Sequence, residues 1–116
     1  MGKLSTHILD TSLGQPARGV RVDLYYLVDD RAELLKTITS NNDGRSDEPL
    51  LSGGEFTVGK YRLLFHVGAY FSGKCAKSAP DFLDVVPVEF VVGDAAATYH
   101  VPLLVSPWSY TTYRGS

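Results

Sequence analysis

The sequence predicts an all-β sandwich of seven or eight short strands in two sheets, with one short helix. Three observations predict it. Apolar residues recur at every second position along most of the chain, turn-forming clusters punctuate it at short and even intervals, and only one stretch favours a helix. At 116 residues the chain can enclose one core but not two, so residues 1–116 read as a single domain.

The elements follow in order. Leu4–Asp10 is a short first strand, closed by the turn signal SLGQPARG. In the second, Val20, Val22, Leu24, Tyr26 and Val28 alternate with Arg21, Asp23 and Tyr25. VDDR turns the chain into a third candidate, Leu34–Ser40, which NNDGRSDE ends. After LLSGGE come a short candidate, Phe56–Val58, and a clear strand carrying Tyr61, Leu63, Phe65 and Val67. AYFSGKCAK, residues 69–77, holds the one short helix, weakened by Gly73. Val86, Val88, Phe90 and Val92 make the next strand, then Tyr99, Val101, Leu103 and Val105 after the turn VGDAA. VSPW leads to the last, Trp108–Arg114.

Strand parity then sorts the polar residues. Leu4, Thr6 and Ile8 share one face of the first strand, and Ser5, His7 and Leu9 share the other. His100 and Pro102 likewise point away from the face of Tyr99 and Val101, so both histidines lie off the core. A two-residue hairpin centred on Ser106 and Pro107 would set Tyr113 directly across from His100. Pro102 has no N–H for a ladder and marks an edge, a bulge or an interrupted pairing. A face with His100, Leu104, Thr111 and Tyr113 is too mixed for plain exposure and too polar for core. It reads as a subunit interface or a site.

Composition narrows the function classes. Hydrophobic residues at 44% and charged residues at 21% are ordinary for a globular protein, and a net charge of −2 argues for neither nucleic acid nor an anionic membrane. No apolar run approaches a membrane span, and MGKLSTHILD has no apolar signal core. MGKLST loosely fits a myristoylation pattern, but the strand beginning at Leu4 competes with it. A cytoplasmic protein is the default expectation. One cysteine, Cys75, permits no internal disulfide and has no zinc-like spacing around it, so it reads as a structural thiol.

Taken singly, the candidate residues have plain readings. His7 and His100 are surface or satisfied structural histidines, and Arg45 and Arg114 are solvated arginines. His66, with no suggested partner, reads as a surface residue whose replacement should be nearly silent. The residue types alone support a histidine–tyrosine face and name no reaction.

Four stretches together change this: LSTHILDTSLGQPARGV, TSNNDGRSDE, GKYRLLFHVGAYF and YHVPLLVSPWSYTTYRGS. End to end, the chain resembles the transthyretin-like family, and within it the branch of 5-hydroxyisourate hydrolases. YRGS is the most specific mark, since the hormone-carrier branch lacks it. The resemblance implies a transthyretin-like β-sandwich that assembles as a homotetramer, a dimer of dimers, with its sites in a channel where dimers meet. It implies hydrolysis of 5-hydroxyisourate to 2-oxo-4-hydroxy-4-carboxy-5-ureidoimidazoline in urate breakdown. The family's catalytic positions fall on His7, Arg45, His100 and Tyr113, and Arg114, Gly115 and Ser116 complete the substrate-binding set. No metal or organic cofactor is implied. Which histidine is the base stays open, and the rival class is a binding module of the carrier type, for which a more apolar channel would be expected.

Overall fold

A computed structural model of the chain describes residues 2–74 and 81–115. Its strands in chain order are β1 (Lys3–Asp10), β2 (Gln15–Pro16), β3 (Arg21–Val28), β4 (Arg31–Thr39) and β5 (Leu51–Ser52), then β6 (Gly59–Phe65), β7 (Val86–Val92), β8 (Thr98–Val105) and β9 (Tyr110–Thr112). One sheet has the order β2-β1-β8-β9, with β5 also paired to β1, and the other has the order β4-β3-β6-β7. All pairings are antiparallel except β1 with β8, which run parallel in register from Lys3↔Thr98 to Asp10↔Val105. One α-helix, α1 (Val67–Ser72), follows β6. Among the described residues no helix is long and apolar enough to cross a membrane.

The alternating runs become the long strands because each puts one apolar face inward. Leu4 and Ile8 of β1 and Val101, Leu103 and Val105 of β8 meet Val22, Leu24, Leu63, Phe65, Val86 and Val88 of the facing sheet. Burying one such side chain contributes about 1.5–3 kcal/mol, so the inner faces hold the sheets together. Polar groups among them are satisfied. Thr6 donates to the Val101 carbonyl at 2.7 Å, and Ser40 donates to the Ala17 carbonyl at 2.7 Å while accepting from the Val20 N–H at 2.9 Å.

Four expectations need correction. Phe56–Val58 is not a strand: a 3-10 turn, Gly53–Glu55, delivers the Phe56 ring into the core, 5.8 Å from Tyr61 and 5.7 Å from Tyr99. Packing of one aromatic side chain, rather than a ladder, places that segment. Val67 starts the helix instead of ending β6, so the helix lies earlier than residues 69–77; Gly73 caps it, and Cys75 to Lys77 lie outside the described residues. The last strand shortens to Tyr110–Thr112.

The fourth correction concerns His66, which is not a free surface residue. Its Nε2 lies 2.8 Å from Oδ2 of Asp23, a carboxylate only 2% exposed. Thr37 Oγ1 donates to that carboxylate at 2.8 Å and Arg21 Nε at 3.1 Å. Burial works to raise the Asp23 pKa, but these hydrogen bonds outweigh it and hold the carboxyl below its usual range. His66→Ala is therefore expected to destabilise the fold by about 1–3 kcal/mol, because a buried carboxylate loses a donor. The stabilisation belongs to the ionised carboxylate, so it is present above the ordinary Asp range and lost as pH falls through the depressed folded value. A urea midpoint unchanged by the substitution at neutral pH would contradict this.

Candidate active site

The site begins with strand register. β1 and β8 turn Ser5, His7 and Leu9, and His100 and Leu104, to the outer face of their sheet, while Thr6, Val101 and Leu103 go inward. Parallel pairing sets Ser5 beside His100 and His7 beside Pro102. The histidines are therefore diagonal neighbours, half-buried, with ring centroids 6.5 Å apart. Ser5 Oγ lies 2.8 Å from His100 Nδ1.

Arg45 reaches this face by a backbone device. The far edge of β1 is paired by β5 at Lys3 and Leu4 and by β2 at Leu9 and Asp10, which leaves its middle open. The turn from Asn41 to Arg45 fills that gap, its Gly44 carbonyl accepting the Ile8 N–H at 2.7 Å. Asn41 shapes the turn, with its Oδ1 accepting from the N–H of Asp43 at 2.9 Å and of Arg45 at 3.1 Å. Gly44 sits at φ 75°, and a Cβ there would run into the Ile8 carbonyl oxygen, so only glycine lets the turn dock. Arg45 is thereby left exposed beside His7.

The electrostatics agree with that placement. Burial lowers the His7 pKa, and the Arg45 charge lowers it further; a hydrogen bond to the Asp43 backbone and the Asp43 charge oppose this without cancelling it. His100 is lowered by burial, then by Arg45 and by His7. Both rings are thus neutral over a wider range than a free imidazole, as a proton acceptor must be. Among the described residues no three histidine, cysteine or acidic side chains stand close enough to hold a metal ion.

The C-terminal segment arrives differently from the sequence expectation. Four residues, Ser106 to Ser109, connect β8 to β9, closed by Ser106 N–H to Ser109 carbonyl at 2.9 Å. The register therefore pairs Leu103 with Thr112 and His100 with Gly115, two positions from the expected pairing. Tyr113 stands across from Pro102, not His100, and is 58% exposed. The ladder lapses there because Pro102 has no N–H to give; the Thr112 hydroxyl takes the Pro102 carbonyl instead, at 2.8 Å. Pro102 thus marks an interrupted pairing within a central strand.

Arg114 turns away from the histidines. Its guanidinium lies 4.0 Å over the Tyr99 ring, and Nη2 donates to the Thr98 carbonyl at 3.2 Å. Gly115 is the residue that meets His100. Its N–H donates to the His100 carbonyl at 2.7 Å, and a Cβ on it would stand 2.8 Å from His100 Cδ2. Ser116 lies outside the described residues. Of the expected site residues, then, the fold unites His7, His100, Arg45 and Gly115, and sets Tyr113 and Arg114 along the neighbouring edge. Sequence reasoning put Ser5 on the right face without giving it a task, and it missed the Asp43 backbone. Parity was the available signal for Ser5; nothing local announced the carbonyl.

Comparison with known proteins adds four findings. The model of the HIUase/Transthyretin family matches residues 4–115. The 5-hydroxyisourate hydrolase 2 of Rhizobium meliloti is 51% identical over 116 residues, 99% of this chain and 97% of that protein. Among solved structures, (S)-allantoin synthase superposes with a TM-score of 0.92 at 46% identity over 99% of this chain, which spans only 44% of that longer protein. Sea bream transthyretin in complex with thyroxine superposes with a TM-score of 0.87 at 28% identity, over 97% of this chain and 94% of that one.

Proposed function

This chain belongs to the HIUase/Transthyretin family, and we propose that it is a hydrolase of its enzyme branch, opening the ring of 5-hydroxyisourate. The observation that carries this reading is a pair of neutral imidazoles, 6.5 Å apart on one sheet face, with the Arg45 charge acting on both. Near-full-length similarity to a 5-hydroxyisourate hydrolase supports it. A carrier for an apolar ligand has no use for such a polar constellation.

Ring opening adds water across a cyclic amide-like C–N bond. Hydroxide joins the carbonyl carbon as a base removes the water's second proton, an oxyanion forms, and the ring nitrogen leaves with a proton. A neutral imidazole with a pKa near working pH suits the proton transfers. The planar guanidinium of Arg45 suits the carbonyl oxygen that becomes the oxyanion. Tyr113 stands on the edge beside the histidines, and Arg114, Gly115 and Ser116 complete the proposed substrate set. We further propose that the site is closed by assembly into a homotetramer, which would cover the exposed Tyr113, and that the enzyme works in the cytoplasm without a metal ion.

The test is the absorbance of freshly generated 5-hydroxyisourate, which also decays unaided. The protein should accelerate that decay in proportion to its concentration, and no acceleration would overturn the assignment. Arg45→Lys keeps the charge but loses the paired donors, so turnover is expected to fall about 10- to 100-fold. Wild-type turnover in that variant would reduce Arg45 to a general positive charge.

A further inference from the structure

We infer that Ser5 is a positioning residue: it fixes which nitrogen of His100 carries the proton and so divides the work, His7 acting as base and His100 as hydrogen-bond donor. The inference rests on the hydrolase reading above and extends it to the proton carried by His100.

The parallel register of β1 and β8 puts Ser5 directly beside His100, with Oγ 2.8 Å from Nδ1. A hydroxyl carries one proton to donate. Among the described residues this is the only hydrogen bond of Ser5 Oγ, so Nδ1 is the acceptor available to that proton. Accepting it, Nδ1 is bare, and the neutral ring keeps its own proton on Nε2. Gly115 secures the ring from the other side, since its backbone binds the His100 carbonyl and leaves no room for a Cβ beside Cδ2. Flipping the ring would exchange Nδ1 for Cδ2 and break the bond to Ser5.

His7 is placed differently. Its register partner is Pro102, which offers no hydroxyl. On the shared face His100 therefore offers an N–H, and His7, a neutral imidazole with one bare nitrogen, offers a lone pair. In the hydrolysis, His7 takes the water's proton as hydroxide adds to the carbonyl carbon. The His7 imidazolium then gives that proton to the leaving ring nitrogen as the C–N bond breaks, while His100 Nε2–H holds the substrate by a hydrogen bond and keeps its proton. His7 is neutral again once it has given up that proton, so one water is consumed and both rings are restored.

The test is a long-range proton–nitrogen correlation spectrum of ¹⁵N-labelled full-length protein at about pH 8, where both rings are neutral. A bare, hydrogen-bonded Nδ1 and a protonated Nε2 on His100 are expected. Ser5→Ala should move the Nδ1 resonance towards that of an unbonded nitrogen and lower kcat about tenfold with little change in KM. Ser5→Thr, which restores a hydroxyl, should recover most of both. A proton on Nδ1 in the wild type, or wild-type kcat and Nδ1 resonance in Ser5→Ala, would overturn the assignment. The spectrum is read on resting protein, so the tautomer it measures does not depend on turnover. The expected tautomer in a protein that leaves 5-hydroxyisourate decay unaccelerated would uphold the serine's role in placing the proton and overturn the proposed function.

Discussion

His7→Asn and His100→Asn are each expected to lower turnover of 5-hydroxyisourate by roughly 10²- to 10⁴-fold, the range for loss of a positioned acid or base. Folding should survive, because both side chains are half-buried on the outer face and leave the inter-sheet core intact. Matching urea midpoints establish that the loss is chemical. The wild-type pH profile carries a second signature. Burial and Arg45 hold both imidazoles below the ordinary 6.5. The base must be unprotonated to act, so a lowered pKa extends activity towards acid, and the acidic limb of kcat/KM should lie below pH 6.5. Replacing Arg45 by Met removes the charge and should move that limb upward. Turnover within about threefold of wild type in either histidine variant would remove that ring from the mechanism.

Deleting Tyr113 to Ser116 is expected to abolish most activity in a protein that remains folded. The deletion takes away the Gly115 N–H that binds the His100 carbonyl, and the Arg114 guanidinium that binds the Thr98 carbonyl and covers the Tyr99 ring. The core strands stay, since β8 ends at Val105 and β9 at Thr112. Circular dichroism should keep its strand signature, and sedimentation of the wild type should give a species near four times 12.7 kDa. Gly115→Ala isolates the contact: its new methyl group presses on His100 Cδ2 and should cost much of the same activity with no change in strand content. Full turnover in the deletion variant would make the segment a passive tail. A wild type that is monomeric and fully active would remove the shared channel.

The alternation that marks β1, β3, β6, β7 and β8 is local, because successive side chains on a strand point to opposite faces whatever lies beyond it. That is why the sandwich, its inner faces and the outward direction of His7 and His100 are legible in the chain alone. Where a segment follows its neighbours instead of its own pattern, that legibility ends. Phe56 is drawn into a cluster with Tyr61 and Tyr99, and His66 pairs with Asp23 across 43 positions of chain.

The sequence by itself determined the strand faces, the turn at Asn41 to Arg45 and, through its resemblance to a family, which residues are proposed for the site. Tertiary structure alone decided who stands beside whom. Whether the hairpin after Val105 has two or four residues moves Tyr113 from His100 to Pro102, because register is set by how the turn closes its hydrogen bonds. The parallel contact of β1 and β8, 95 residues apart in chain, hands His100 its serine, and the unpaired middle of β1 hands His7 its arginine. Both depend on backbone groups finding partners across the sheet, and no local pattern of side chains encodes which partners those are.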